Sequence, residues 1–128
     1  MSTPYDDTDV QETAPDVAGI RELNDALRAS ADPILRLIIN GQLVVTHAVA
    51  ARGDDFFKRA VAAVRTFGDF NADNDPHGEH DMAFLEVDGE RIFFKLDYFD
   101  PIRAMHSEDP TDPSKTERVL TIMLASEY

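Results

Sequence analysis

The stretch DNDPHGEHD, Asp73 to Asp81, places four carboxylates (Asp73, Asp75, Glu79, Asp81) and two histidines (His77, His80) in nine residues, with Pro76 and Gly78 between them. Carboxylate oxygen and imidazole nitrogen ligate divalent cations, and the same groups act as general acids and bases. A calcium loop of the EF-hand kind has acids at positions 1, 3 and 5, glycine at 6 and a bidentate glutamate at 12. Asp73, Asp75, His77 and Gly78 follow that opening loosely, but the twelfth position is Phe84. For zinc, HGEH matches neither H-E-x-x-H nor H-x-x-E-H. A metal-assisted hydrolase or nuclease would gather His77, His80, Asp81 and Asp97 around a divalent ion that activates water. The alternative needs no ligand: Asp73, Asn74 and Asp75 form Asx turns, Pro76 stiffens the loop, and the histidines bond to backbone groups.

The charge balance narrows the classes. With 25 acids against 12 Lys and Arg, the net charge is −13, which opposes direct nucleic-acid binding, because neutralising phosphates takes clustered bases. Residues 1–16 hold five acids and no base, residues 69–81 again five and none, and residues 97–117 six against Arg103 and Lys115. The segment 17–68 is +2, from seven bases and five acids. Segregated acidity of this kind reads as a directional field. No cysteine is present, so disulfides, thiolate nucleophiles and Cys-ligated metals are excluded, and a divalent ion would rely on His and carboxylate. No apolar run approaches the ~18 residues of a membrane helix, and Met1 to Gln11 carries acids where a signal peptide carries bases. The expectation is a soluble cytoplasmic protein without membrane contact.

The elements that must position these residues follow from periodicity. Residues 1–15 carry little to bury and read as a disordered acidic tail, leaving 16–128 as a single domain. Asp16 can cap a helix whose Val17, Ile20, Leu23 and Leu27 share one face. ILRLIINGQLVVTHAVA, with Asn40-Gly41 at its middle, predicts a hairpin whose second strand is Leu43 to Ala48. After Gly53, Asp54 can cap a second helix with Phe57, Ala60, Val61, Val64 and Phe67 inward and Gly68 at its C-terminal cap. MAFLEVDGERIFFKLDYF is a hairpin turning at Asp88-Gly89, and RVLTIMLA, Arg118 to Ala125, is a last buried strand. The class expected is α+β: an antiparallel sheet of about four to five strands with two helices packed on one face.

A two-residue turn fixes which side chains face each other: Val87 with Glu90, Glu86 with Arg91, Leu85 with Ile92, Phe84 with Phe93, Met82 with Lys95. Extended without a bulge, the same register sets His80 opposite Asp97. A carboxylate there would fix the imidazole tautomer, as a base or a metal ligand requires.

DNDPHGEHD, KLDYFD and SEDPTDPSKTERVLTIMLASEY together resemble a family of small, uncharacterised proteobacterial proteins known only as a domain of unknown function, over nearly all of Ile20 to Tyr128. The acidic tail departs from it. The resemblance implies frequent carriage on mobile elements, and hence a role in transfer or in blunting host defence; it brings no catalytic residues. The reading from charge favours a non-enzymatic binding protein without a cofactor. Its carboxylates would imitate nucleic-acid phosphates toward a partner with a basic surface, through Asp73, Asp75, Glu79, Asp81, Glu108, Asp109 and Asp112. The second acidic loop, SEDPTDPSKTERV, enters a strand as the first does, which predicts both at one edge of the sheet.

Overall fold

A computed structural model describes residues 16–102 and 105–128; the expected acidic tail, 1–15, lies outside them. Helix α1 spans Val17–Ala29 and starts where Asp16 Oδ1 accepts the Gly19 N–H at 2.9 Å. That bond satisfies one of the donors a helix start leaves open. Ile20 and Leu27 are buried as expected, and so, on the same face, are Asn24 and Arg28.

The first hairpin does not form. Asp32 Oδ1 accepts from Ile34 N at 2.9 Å, Pro33 sits in the first turn, and Pro33–Ile38 is a short helix, α2. A cap followed by proline is a helix-start signal that outweighs the β-branched composition. Asn40 keeps its special role with φ 55°, turning the chain from α2 into strand β1, Gly41–Val45. The Thr46 side chain then caps α3, His47–Ala50, so the strand ends before the expected Ala48.

Helix α4, Asp54–Thr66, is capped by Gly53 at φ 104° and not by Asp54, which lies in its first turn. Its inward stripe runs through Phe56, Ala60, Val61 and Val64, while Phe57 is exposed. The helix ends at Phe67, with Gly68 beyond the cap and no positive φ there. Strands β2 (Met82–Val87) and β3 (Glu90–Phe99) pair in the expected register around Asp88 and Gly89, at φ 55° and 78°. Two positive φ values match the right-handed strand twist. Strand β4 is Glu117–Leu124, followed by a 3₁₀ turn over Ala125–Glu127.

The α+β class and a four-stranded sheet hold, in the order β1-β4-β3-β2. The sheet is mixed, not antiparallel: β1 runs parallel to β4, with Gly41 beside Arg118 and Val45 beside Ile122. Parallel neighbours need a long crossover, here everything from Thr46 to Thr116. Ile20, Leu27, Val61 and Val64 of the two long helices share one core with Ile92, Phe94, Leu96, Leu120 and Ile122. On the sheet's other face Phe93 packs on Phe84 and Tyr128, with ring centroids 4.6 and 4.2 Å away. No described helix is long and apolar enough to cross a membrane.

Asn40 joins the parallel pair: its Nδ2 donates to Thr116 O at 3.1 Å and its carbonyl accepts from Arg118 N at 3.0 Å. Asn40→Ala should lower stability by about 1–3 kcal/mol through the left-handed backbone and the lost side-chain bond. Asn40→Gly should cost less, since glycine keeps the backbone freedom. Urea unfolding checks the order; equal midpoints for all three proteins would refute it.

Candidate functional site

β3 ends, and β4, β1 and β2 begin, at one end of the sheet, so loops 67–81 and 105–116 emerge at that end and not at one edge, the second entering the interior strand β4. What joins them is a buried polar relay. Arg118, first inward residue of β4, has no exposed surface. Its Nε donates to Asn24 Oδ1 at 2.8 Å and its Nη2 to the Pro110 carbonyl of the second loop. Asn24 Nδ2 donates to Tyr98 Oη (2.7 Å) and to the Glu79 carbonyl (3.0 Å) of the first loop. Tyr98 Oη in turn donates to Glu79 Oε1 at 2.7 Å, and the Tyr98 ring lies 5.1 Å under the Arg118 guanidinium. Burial pulls the Arg118 pKa down and pushes the Tyr98 phenol up.

Each loop is also tied internally. In the second, the Ser107 hydroxyl meets Lys115 O and the Thr116 hydroxyl (2.9 and 2.7 Å), and Thr116 Oγ1 donates to Asp109 O at 2.8 Å. In the first, Asn71 Oδ1 accepts from the Asp73 and Asn74 N–H groups, so the Asx turn expected of Asp73 is made by Asn71. Arg21 of α1 donates to Gly78 O at 2.9 Å.

His80 does not face Asp97. Pairing of β2 starts at Met82, and His80 takes φ 56°, which turns its ring off the strand path. Its Nδ1 meets Asp25 at 2.8 Å, its Nε2 lies 3.6 Å from Asp75, and Phe70 stacks on it at 4.0 Å. Asp97 pairs instead with Lys95 at 2.8 Å. The His77, His80, Asp81 and Asp97 cluster is therefore not assembled; among the described residues no group of three or more His, Asp or Glu is placed to hold a metal ion.

The seven carboxylates divide. Asp75 is 8% exposed and accepts the His80 N–H, so burial withdraws it from the surface. Glu79 holds Tyr98. Asp109 and Asp112 accept from Thr111 and Ser114, and the Ser114 hydroxyl and N–H push the Asp112 carboxyl below its usual range. Asp73 and Glu108 are exposed, with Lys115 Nζ 3.5 Å from Glu108. Asp81 is half-buried, and its pKa is raised above the ordinary 3.8, first by burial and, more weakly, by Glu79 and Asp75, against the opposing effects of a backbone hydrogen bond and, last, of His77. Residues missed by sequence reading are Asn24, Asp25, Tyr98 and Arg118. Their signal was present: Asn24 breaks the apolar stripe of α1, and Arg118 begins the inward alternation Leu120, Ile122, Leu124.

A family model described as a protein of unknown function, DUF3768, matches residues 45–127. The match takes in both loops and excludes α1 and α2, a shorter span than the resemblance from Ile20 suggested. No curated protein and no solved structure matches the chain.

Asn24→Ala should strand the Arg118 Nε and one Tyr98 contact in the interior, at a cost of about 2 kcal/mol or more in urea unfolding, since each orphaned buried group costs about 1–3 kcal/mol. A change under half that would show the relay to be unimportant. For Asp81 the sign runs the other way. Below pH 3.8 folded and unfolded chains both hold the proton; as pH rises, the unfolded chain releases it first, and stability falls until the folded pKa is passed. Asp81→Asn should therefore raise the melting temperature at pH 7 and leave it unchanged below pH 3.8. An unchanged or lower melting temperature at pH 7 would contradict this.

Proposed function

We propose, for a chain that belongs to the DUF3768 family of proteins of unknown function, a non-enzymatic role in which the two acidic loops bind a cationic surface on another protein. The observation that carries this is Asp81: a half-buried carboxyl whose charge is opposed first by burial and then by Glu79 and Asp75, and only partly supported by a backbone hydrogen bond and His77. Holding like charges together at a cost in stability is what a binding surface requires and a folding staple does not. The mount is fixed, because both loops hang from Arg118 through Asn24, Tyr98 and Pro110. Pre-organised charge loses little entropy on association.

Apolar contact is available beside the acids. Ile102 is 92% and Met105 64% exposed in the loop after β3, and specific interfaces combine apolar contact with a charged rim. Asp73, Asp81, Glu108, Asp109 and Asp112 form the partner-facing set. A surface that accepts such an array is one that otherwise takes a phosphate backbone, so the partner class is a nucleic-acid-processing protein, including one that serves in host defence.

The immobilised chain should retain such a partner from a lysate of its source cells at low ionic strength and release it at moderate salt. The pair Asp73→Lys with Glu108→Lys should abolish retention while the melting temperature stays within the error, both side chains being exposed. Retention that ignores salt, or that survives the double reversal, would sink the reading.

A further inference from the structure

Uncharged surface is concentrated at one edge of the molecule. Residues 33–51 hold a single formal charge, Arg36, in a chain whose net charge is −13 and in which 29% of residues are charged. They build α2, β1 and α3. No residue of α2 is buried, and Ile34, Leu37 and Ile38, spaced to share one helical face, are 66%, 81% and 66% exposed. β1 is an edge strand, paired only with β4 among the described residues. Arg118 N donates to Asn40 O and Thr46 N to Ile122 O, both at 3.0 Å, and bonding alternates along the ladder between them. Gln42 and Val44 therefore turn their backbone groups to β4, and Gly41, Leu43 and Val45 turn theirs outward.

Sheet edges are ordinarily closed to other chains by charge, proline or a bulge. β2, at the opposite edge, carries the exposed Glu86 and ends at Asp88. GQLVV has no charge and no proline, and its register on β4 runs without a bulge. Charge selects the occupant: a cationic partner gains nothing from an uncharged strand, whereas two chains of −13 can make close contact where neither brings carboxylates. We propose that β1 pairs antiparallel with β1 of a second copy about a twofold axis at Leu43, joining two four-stranded sheets into one of eight strands. The edge is self-complementary in that register. Leu43 lies opposite its equivalent, Gly41 opposite the partner's Val45 and Gln42 opposite the partner's Val44, so the outward N–H and C=O groups of residues 41, 43 and 45 satisfy one another. α2 ends three residues before Gly41, which sets its exposed apolar face beside the far end of the partner's β1. This surface shares no residue with the acidic loops, so the two proposals stand or fall separately.

Sedimentation equilibrium on the full chain should show the mass rising from 14.3 kDa toward that of two chains as concentration passes about 0.1 mM. Added salt should strengthen the association, because it screens the repulsion between two like net charges, whereas it would release a cationic partner from the acidic loops. In the unaltered protein the Leu43 and Val45 amide hydrogens should exchange more slowly at high concentration than at low. Gln42→Lys with Val44→Lys sets lysine opposite lysine and should weaken the dimer at least about tenfold, although it lowers the net negative charge. Gln42→Lys with Val44→Glu sets opposite charges face to face and should return the affinity to within about threefold of the original. Both side chains are exposed, so neither change touches the core. Leu37→Glu should also weaken the dimer at least about tenfold. A chain that stays monomeric at about 1 mM would overturn the proposal. So would a dimer without added protection at Leu43 and Val45, or equal association of the two charge variants. The exchange rates are read on the unaltered protein, so a variant that fails to fold does not remove the test.

Discussion

A guanidinium with no exposed surface, that of Arg118, sits where β4 meets its neighbours, and its solvation has to be replaced by the protein. Removing such a cation from water costs several kcal/mol even after relaxation, so its surroundings are built around that demand. Asn24 is placed on the buried stripe of α1 to accept from Nε, the loop carbonyl of Pro110 is brought to Nη2, and Tyr98 offers its ring face. Glu79, a carboxylate whose charge acts on Arg118, accepts the Tyr98 hydroxyl. One buried ion thereby joins a helix, two strands and two loops that are far apart in the chain.

The consequence for the surface follows from rigidity. Loops rich in acid, serine and proline would ordinarily be mobile and free to spread their charges. Here the first is held by Arg21, by His80 on Asp25 and by Glu79 on Tyr98, and the second by the Ser107 and Thr116 hydroxyls. Carboxylates that could relax apart are kept close, and they add to burial, the larger cause, in raising the Asp81 pKa. The internal bonds and the outward charge are therefore not rival accounts of the same residues. Asp75 serves the scaffold, while Asp73 and Glu108 remain on the surface.

Arg28 links this end of the molecule to the end of α4. Through Asp25 it supports His80 in the first acidic loop, and through Val64 O and Phe67 O it closes the end of α4. Cations near a helix C-terminus are favoured by the open carbonyls there, which helps hold a buried arginine whose carboxylate partner, Asp25, is half-exposed.

The local elements were readable from the chain where the signal is local. The Asp88-Gly89 turn determines the register of β2 on β3 through backbone twist alone, and the α1 and α4 stripes follow from helical spacing. Asp32-Pro33 marks the start of α2 by the same local rules, and the cap and proline override the β-branched run after them, which by composition points to a strand. What periodicity cannot supply is the meeting of distant segments. Parallel pairing of β1 with β4 arises from a crossover of some seventy residues, and no residue of either strand encodes its direction. The partner of His80 was likewise decided in three dimensions: a positive φ broke the strand before it could reach Asp97, and Asp25, 55 positions earlier, was waiting on α1. Residue types and spacing settled which groups were present. Only packing around a buried cation settled which of them face inward and which are left to meet a partner.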